Sequence, residues 1–528
     1  MEGCKERARS AGLKFDNETL EYVVTNRDLI ELTPKFMIPT LYDYWVHDVE
    51  VLREKGRYEL YPSNPYETVI NTRPAISFYN DNNPDWLNVM IFYHVLGHID
   101  FFQNNSFYQN TWHYDFAGQA LSDKRMIAKM RSERGRWVDY VIEFSRGIDN
   151  LVGYHSELSR LDHHTSAGTS RMVDYYFDVF LQSVLRTSVQ EFVKELDRYN
   201  WCVREYGKEA DQKFFAQVNS QHPEFGSLFE KHNKRENPGQ QDVLQFLMNN
   251  SPFLKKQENT WMKTVMEIVR NTSLFFQPQI RTKIMNEGWA SYWHEKLFIL
   301  DERITGHEVE FARTHANVTA IPRVGLNPYA LGMRLFQHIE ELGDKGKYSR
   351  AYRSTANANT RRKFDAKAGK GNELIFEIRR NFCDQLFVDT FLDQDFVDRN
   401  KLFVSGKRLN HNRMTWEYYV KSRSAQEYRK MMHDHLYHPP SIEAEVVDEG
   451  ALRLKHAFEG KPLVSEFIAN TLLGIEYLWG APVELETNEA NVDSYGGESS
   501  EDPDQEPEIQ WTPVRYTMRN RTLSKQEL

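Results

Sequence analysis

The sequence predicts a mainly α N-terminal region, with buried helices bearing a His/Glu site, and a smaller C-terminal α+β domain. Three observations carry that reading. Apolar residues recur at helical spacing through most of residues 84–340. After about residue 402 the pattern changes to short β-branched and aromatic runs. Within the helical part, His94-Val-Leu-Gly-His98 and Glu287-Gly-Trp-Ala-Ser-Tyr-Trp-His294 each place two metal-type ligands on one face of an apolar segment.

Taken in order, residues 1 to about 80 read as a leading segment of mixed structure, punctuated by Pro62, Pro65, Pro74 and Pro84. Asn83-Pro84-Asp85 is a helix start: Asn83 can cap, Pro84 suits the first turn and Asp85 complements the dipole. Residues 86–102 are apolar on nearly every face, which marks a buried helix. Residues 123–148 and 172–199 continue the helical spacing. The second ligand helix is expected from Pro278 to about Leu300, with Ile280, Ile284, Glu287, Ser291, His294 and Phe298 on one stripe. Gly288, Ala290 and Ser291 are small enough to admit a close neighbour. Asn327-Pro328 repeats the start signal and opens a helix through Met333, Phe336 and Ile339.

The polar, basic stretch 343–371, with Arg361-Arg362-Lys363 and Lys367-Ala-Gly-Lys370, reads as an interdomain connection. A basic flap for an anionic partner is the alternative. Beyond it, a helix over 374–391, strands at 402–404, 415–420, 442–447, 452–457 and 483–486, and a helix over 463–479 are expected. The domains are then 1–342, helical with the site; 343–371, a basic polar linker or loop; 372–487, α+β; and 488–528, an acidic tail disordered on composition.

Composition excludes several classes. Only three cysteines occur, Cys4, Cys202 and Cys383, none in a paired spacing. That argues against a disulfide framework or a thiolate zinc site, and for a reducing, cytoplasmic setting. No secretory signal or apolar run long enough to span a membrane is read. The net charge is −10, and residues 484–508 alone carry ten Asp or Glu without a Lys or Arg. The remainder is nearly neutral, so no nucleic-acid partner is expected.

The paired segments suggest a divalent transition metal: zinc first, iron or manganese otherwise. His94, His98, Glu287 and His294 are the candidate ligands; Asp100 and Glu287 are the candidate catalytic carboxylates. One His pair alone is weak evidence, because 18 His in 528 residues give about 0.6 pairs at spacing four by chance. A buried polar network is the competing account of the same residues. His163 and His164 are candidates to orient the ligands. Val95 stands where zinc proteases carry the general-base Glu, which places ordinary peptidase chemistry in doubt.

These segments resemble the stage V sporulation protein R (SpoVR) family. The resemblance rests on His94-Val-Leu-Gly-His98-Ile-Asp-Phe-Phe-Gln-Asn-Asn105, Met285-Asn-Glu-Gly-Trp-Ala-Ser-Tyr-Trp-His294, Asn327-Pro-Tyr-Ala-Leu-Gly-Met-Arg-Leu-Phe336 and Ile375-Phe-Glu-Ile-Arg-Arg-Asn-Phe-Cys-Asp384. It extends over about 15–487, the ending at Leu478-Trp-Gly-Ala-Pro-Val-Glu-Leu-Glu-Thr487 included. It implies a cytoplasmic bacterial protein linked to formation of the spore cortex, a peptidoglycan, or to stress and stationary-phase physiology. The family brings no defined reaction. A regulator with a His/Glu pocket and a protein partner in a cell-wall or stress pathway is therefore the first expectation. A metal-dependent hydrolase of a peptidoglycan amide is the alternative, and the oligomeric state stays open.

Overall fold

The computed structural model describes residues 1–16, 18–25, 28, 68–108, 111, 116–149, 171–185, 189–235, 242–322, 324–349, 352, 355, 360–361, 363–410, 415–436, 439–447, 450–458, 460–490 and 510–528. Helices dominate the N-terminal two-thirds, and strands with a helix make the C-terminal region, as the sequence predicts. The chain divides into two compact units, Met1–Asn150 with Gln257–Pro439, and Leu151–Lys256 with Pro440–Leu528. This division is interleaved, unlike the expected succession of domains.

The first unit is organised around three helices, Asp85–Asn104, Lys283–Ile299 and Pro328–Lys345, whose backbones touch. Gly97 lies so close to Ala290 that an added Cβ would sit 2.7 Å from the Ala290 Cα. A Cβ on Gly288 would meet the Gly332 Cα at 2.3 Å. Glycine is thus the spacing device that lets the Lys283–Ile299 helix sit between two close partners.

The helix starts differ in part from expectation. Asn327 caps as predicted, accepting from the Tyr329 and Ala330 N–H groups. Asn83 does not cap: its amide bonds the Asn88 side chain, and extended Pro84 is the boundary residue. Pro278 lies inside Thr260–Arg281 rather than opening the ligand helix, which begins anew at Lys283. Thr282 makes the break, its hydroxyl turning back to the Pro278 carbonyl at 2.6 Å. Ile280 consequently belongs to the preceding helix and is exposed.

Residues 343–371 are not an interdomain connection, since both flanks belong to the first unit. Asp344 accepts from the Gly371 N–H at 2.8 Å, and the Ala366 N–H returns to the Lys345 carbonyl at 2.9 Å. Nor is the surface there uniformly basic, because Lys345 and Lys367 share an open depression with Glu340, Glu341, Asp344 and Asp365. The helix expected over 374–391 is broken into Gly371–Asn381 and Asp384–Phe391.

The second unit holds a five-stranded sheet in the spatial order Thr522–Glu527, Trp511–Arg519, Val483–Ala490, Leu452–Ala457, Ser441–Val446. The Leu452–Ala457 and Val483–Ala490 strands are parallel and are joined through the Ser465–Trp479 helix. Leu452, Leu454, Val483, Leu485, Val514 and Met518 are buried, alternating with paired Arg453, Glu484, Glu486 and Arg515. The end of the chain is not a disordered tail throughout: 511–519 and 522–527 are strands. Their inward Val514, Tyr516 and Met518 follow the strand period, which the acidic composition just before them obscures.

Candidate metal centre

Asp85–Asn104 presents His94 and His98 one turn apart, and Lys283–Ile299 presents Glu287 opposite them. One donor atom from each of the three residues lies within 4.8 Å of the others. Glu287 Oε2 stands 3.6 Å from His98 Nε2 and 3.9 Å from His94 Nε2. A tetrahedral zinc with bonds of about 2.0–2.2 Å holds its ligand atoms roughly 3.3 Å apart, slightly closer than these.

The donor chemistry fits an ion. His98 Nδ1 lies 2.9 Å from Asn286 Oδ1, which accepts its proton and leaves the Nε2 lone pair toward Glu287. Glu287 Oε2 is buried and accepts no hydrogen bond, a costly condition for a carboxylate that a cation would relieve. The Glu287 side chain is 18% exposed as a whole, although its Oε2 atom is buried. Both histidines are buried, and His94 is stacked on Tyr329 with ring centroids 5.8 Å apart.

Of the four expected ligands, His294 is the one not brought into this group. It lies behind His94, Nδ1 to Nδ1 at 2.8 Å, and its Nε2 is 2.8 Å from His315 Nδ1. Glu287 and His294 do share a face of the ligand helix, but two turns separate them, and His294 meets His94 from the side away from the group.

Asp100 is placed elsewhere too. Its carboxylate accepts from the Lys14 N–H at 2.7 Å and the Trp289 indole at 2.8 Å, and faces the Arg379 guanidinium at 3.3 Å. Burial raises its pKa, opposed chiefly by Arg379. Asp100 therefore ties three segments together rather than serving the His/Glu group as a base. Asp100→Asn leaves Arg379 buried without its counter-charge, and a loss of about 3–5 kcal/mol is expected in denaturant unfolding. A loss below about 1 kcal/mol would contradict that role.

Asp384 is a residue whose part the sequence did not disclose. Fully buried, it accepts from the Ile284 and Met285 N–H groups at 2.8 and 2.9 Å, capping the ligand helix from outside. Burial pushes its pKa up to about 7, the two N–H donors opposing and the Glu287 charge adding. A carboxyl raised in the folded state contributes stability that is full below its unfolded pKa and lost as pH rises through about 7. Metal-free protein should lose melting temperature between pH 5 and 8, and Asp384→Asn should flatten that slope. An unchanged slope in the variant would count against this account.

Asn286, His315 and Tyr329 were also missed as site residues. Asn286 precedes Glu287 and was within reach of a sequence argument, whereas His315, alone in its helix, offers no spacing signal. His163 and His164 lie outside the described residues.

The family model described as SpoVR like protein matches residues 1–439, and the chain belongs to that family. The whole first unit lies inside the match; it ends at 439 rather than at the expected 487. A relative, the uncharacterized protein YcgB of Escherichia coli (strain K12), is 24% identical over 407 residues, covering 74% of this chain and 71% of its own. No solved structure matches. No helix among the described residues is long and apolar enough to cross a membrane.

Proposed function

We propose that this SpoVR-like protein holds one divalent transition-metal ion, zinc in the first place, through His94, His98 and Glu287, and works as a metal-dependent hydrolase. The observation that carries the reading is a buried carboxylate oxygen, free of hydrogen bonds, facing two imidazole Nε2 atoms. Three protein ligands leave a fourth position for water or substrate, the arrangement of a working site, whereas structural zinc sites close with four. A metal ion bound there supplies Lewis acidity, polarising a carbonyl oxygen and acidifying water. The chain's own part is to fix the ligand nitrogens, through Asn286 for His98.

The substrate class proposed is an amide of peptidoglycan metabolism, within spore-cortex formation or stress physiology in the cytoplasm. Val95, in the position where a general base would stand, favours a second reading. There the metal-loaded protein is a regulator, and a protein partner in the cell-wall or stress pathway performs the chemistry. Elemental analysis of protein purified without chelator or metal-affinity resin should find close to one zinc, iron or manganese per chain. Turnover of peptidoglycan amides by that material supports the hydrolase. Metal without turnover moves the conclusion to the regulator, and absence of metal overturns both.

A further inference from the structure

We propose that His315 and Glu295, acting through His294, are positioning residues that fix which ring nitrogen of His94 faces the metal centre. The inference rests on the reading of His94 as a ligand. Three imidazoles form a chain leading away from the site: His94 Nδ1 to His294 Nδ1 at 2.8 Å, then His294 Nε2 to His315 Nδ1 at 2.8 Å. At its outer end, His315 Nε2 lies 3.6 Å from Glu295 Oε1. Glu295 is itself held by the Gln337 amide at 3.1 Å.

The chain has a direction. A neutral imidazole has one donor nitrogen and one acceptor, and a carboxylate only accepts. At 3.6 Å the Glu295 charge acts as a field rather than as a hydrogen-bond acceptor, and it favours the tautomer of His315 with the proton on Nε2, leaving Nδ1 to accept. His294 must then donate from Nε2 and accept at Nδ1. His94 must in turn donate from Nδ1, which leaves its Nε2 lone pair on the side of Glu287, 3.9 Å away. Reversing any one link would put a proton on His94 Nε2 and remove a ligand. Burial lowers the His315 pKa, against the pull of Glu295, which favours the neutral ring.

The rings are held by packing as well. His315 stacks on Phe311 with centroids 5.5 Å apart and planes 13° apart, and Phe311 stacks on Phe298 at 4.1 Å. This stacking fixes the plane of the His315 ring, with Nδ1 on the side of His294. His98 reaches the same outcome by a shorter route, through one acceptor, Asn286 Oδ1. Two ligands, each with Nδ1 engaged and Nε2 inward, are the pattern expected of an ion site. Histidine ligands commonly give their other N–H to an acceptor that sets the tautomer.

The test uses the full chain with uniformly 15N-labelled histidine, stripped of metal, and Zn²⁺ as the probe. The His94 resonances are assigned by their loss in His94→Gln. In the parent, His94 should show a protonated Nδ1 and an unprotonated Nε2. His315→Leu, which can neither accept nor relay, should give mixed His94 tautomers and a Zn²⁺ affinity about 10–100-fold weaker. His315→Gln offers a carbonyl acceptor to His294 and should restore both readouts, which a merely structural role would not predict. Glu295→Leu should shift both in the same direction by less, and keeps the test open should His315→Leu fail to fold. An unchanged His94 tautomer in folded His315→Leu or Glu295→Leu would overturn the inference. Because the tautomer is read without metal, a parent that binds no Zn²⁺ defeats the metal reading separately.

Discussion

Gly332→Ala is expected to leave little folded protein. A Cβ there would stand 2.0 Å from the Ile284 carbonyl oxygen and 2.7 Å from the Gly288 Cα. Those neighbours are backbone atoms of the ligand helix and cannot rotate aside. Overpacking among side chains costs about 1–3 kcal/mol, and a backbone clash exceeds that range. Gly288→Ala meets the same interface from the other side, 2.3 Å from the Gly332 Cα. Either substitution should cut soluble yield sharply and lower the melting temperature. Survivors should bind Zn²⁺ poorly, because moving this helix moves Glu287. Gly226→Ala is the control, since a Cβ there meets nothing within 4 Å. Parent-like melting of Gly332→Ala would show that these two helices do not pack backbone to backbone.

Glu287→Gln should do the opposite to stability. The carboxylate is needed only if an ion is bound; without one its buried oxygen lacks a hydrogen bond. Removing the charge should leave the metal-free protein as stable as the parent or more so. Zn²⁺ affinity should meanwhile fall by about 100-fold or more, as an anionic ligand is replaced by a weak neutral one. Calorimetric titration and melting in the presence of chelator separate the two effects. A destabilised metal-free variant with intact Zn²⁺ affinity would make Glu287 a structural residue and take the metal centre with it. The contrast with Asp100→Asn is informative: Asp100 is a satisfied buried carboxylate and Glu287 an unsatisfied one.

Much of this was legible because it is local. The i,i+4 spacing of His94 and His98, the apolar run around them and the small residues near Glu287 announce a ligand helix and a close partner. The Asn327-Pro328 start is a local signal as well. What the sequence hid depends on tertiary placement. His294 has the right stripe, but the rise of the helix puts it beyond the ligand group and onto His94. Asp100 reads as a spare carboxylate until Trp289, Lys14 and Arg379 close around it. His315 and Asp384 come from distant segments, and only packing shows what they touch. The last two strands are masked by composition: ten acidic residues over 484–508 immediately precede the alternation in Val514, Tyr516 and Met518.

The central claim is most directly tested by anomalous diffraction from crystals of the full chain grown without chelator, with data collected above and below the zinc, iron and manganese absorption edges. The account predicts one strong peak among His94 Nε2, His98 Nε2 and Glu287, present above one metal's edge and absent below it, and no peak in Glu287→Gln crystals. A site without anomalous signal after soaking in each metal, or a peak coordinated by other residues, would contradict it.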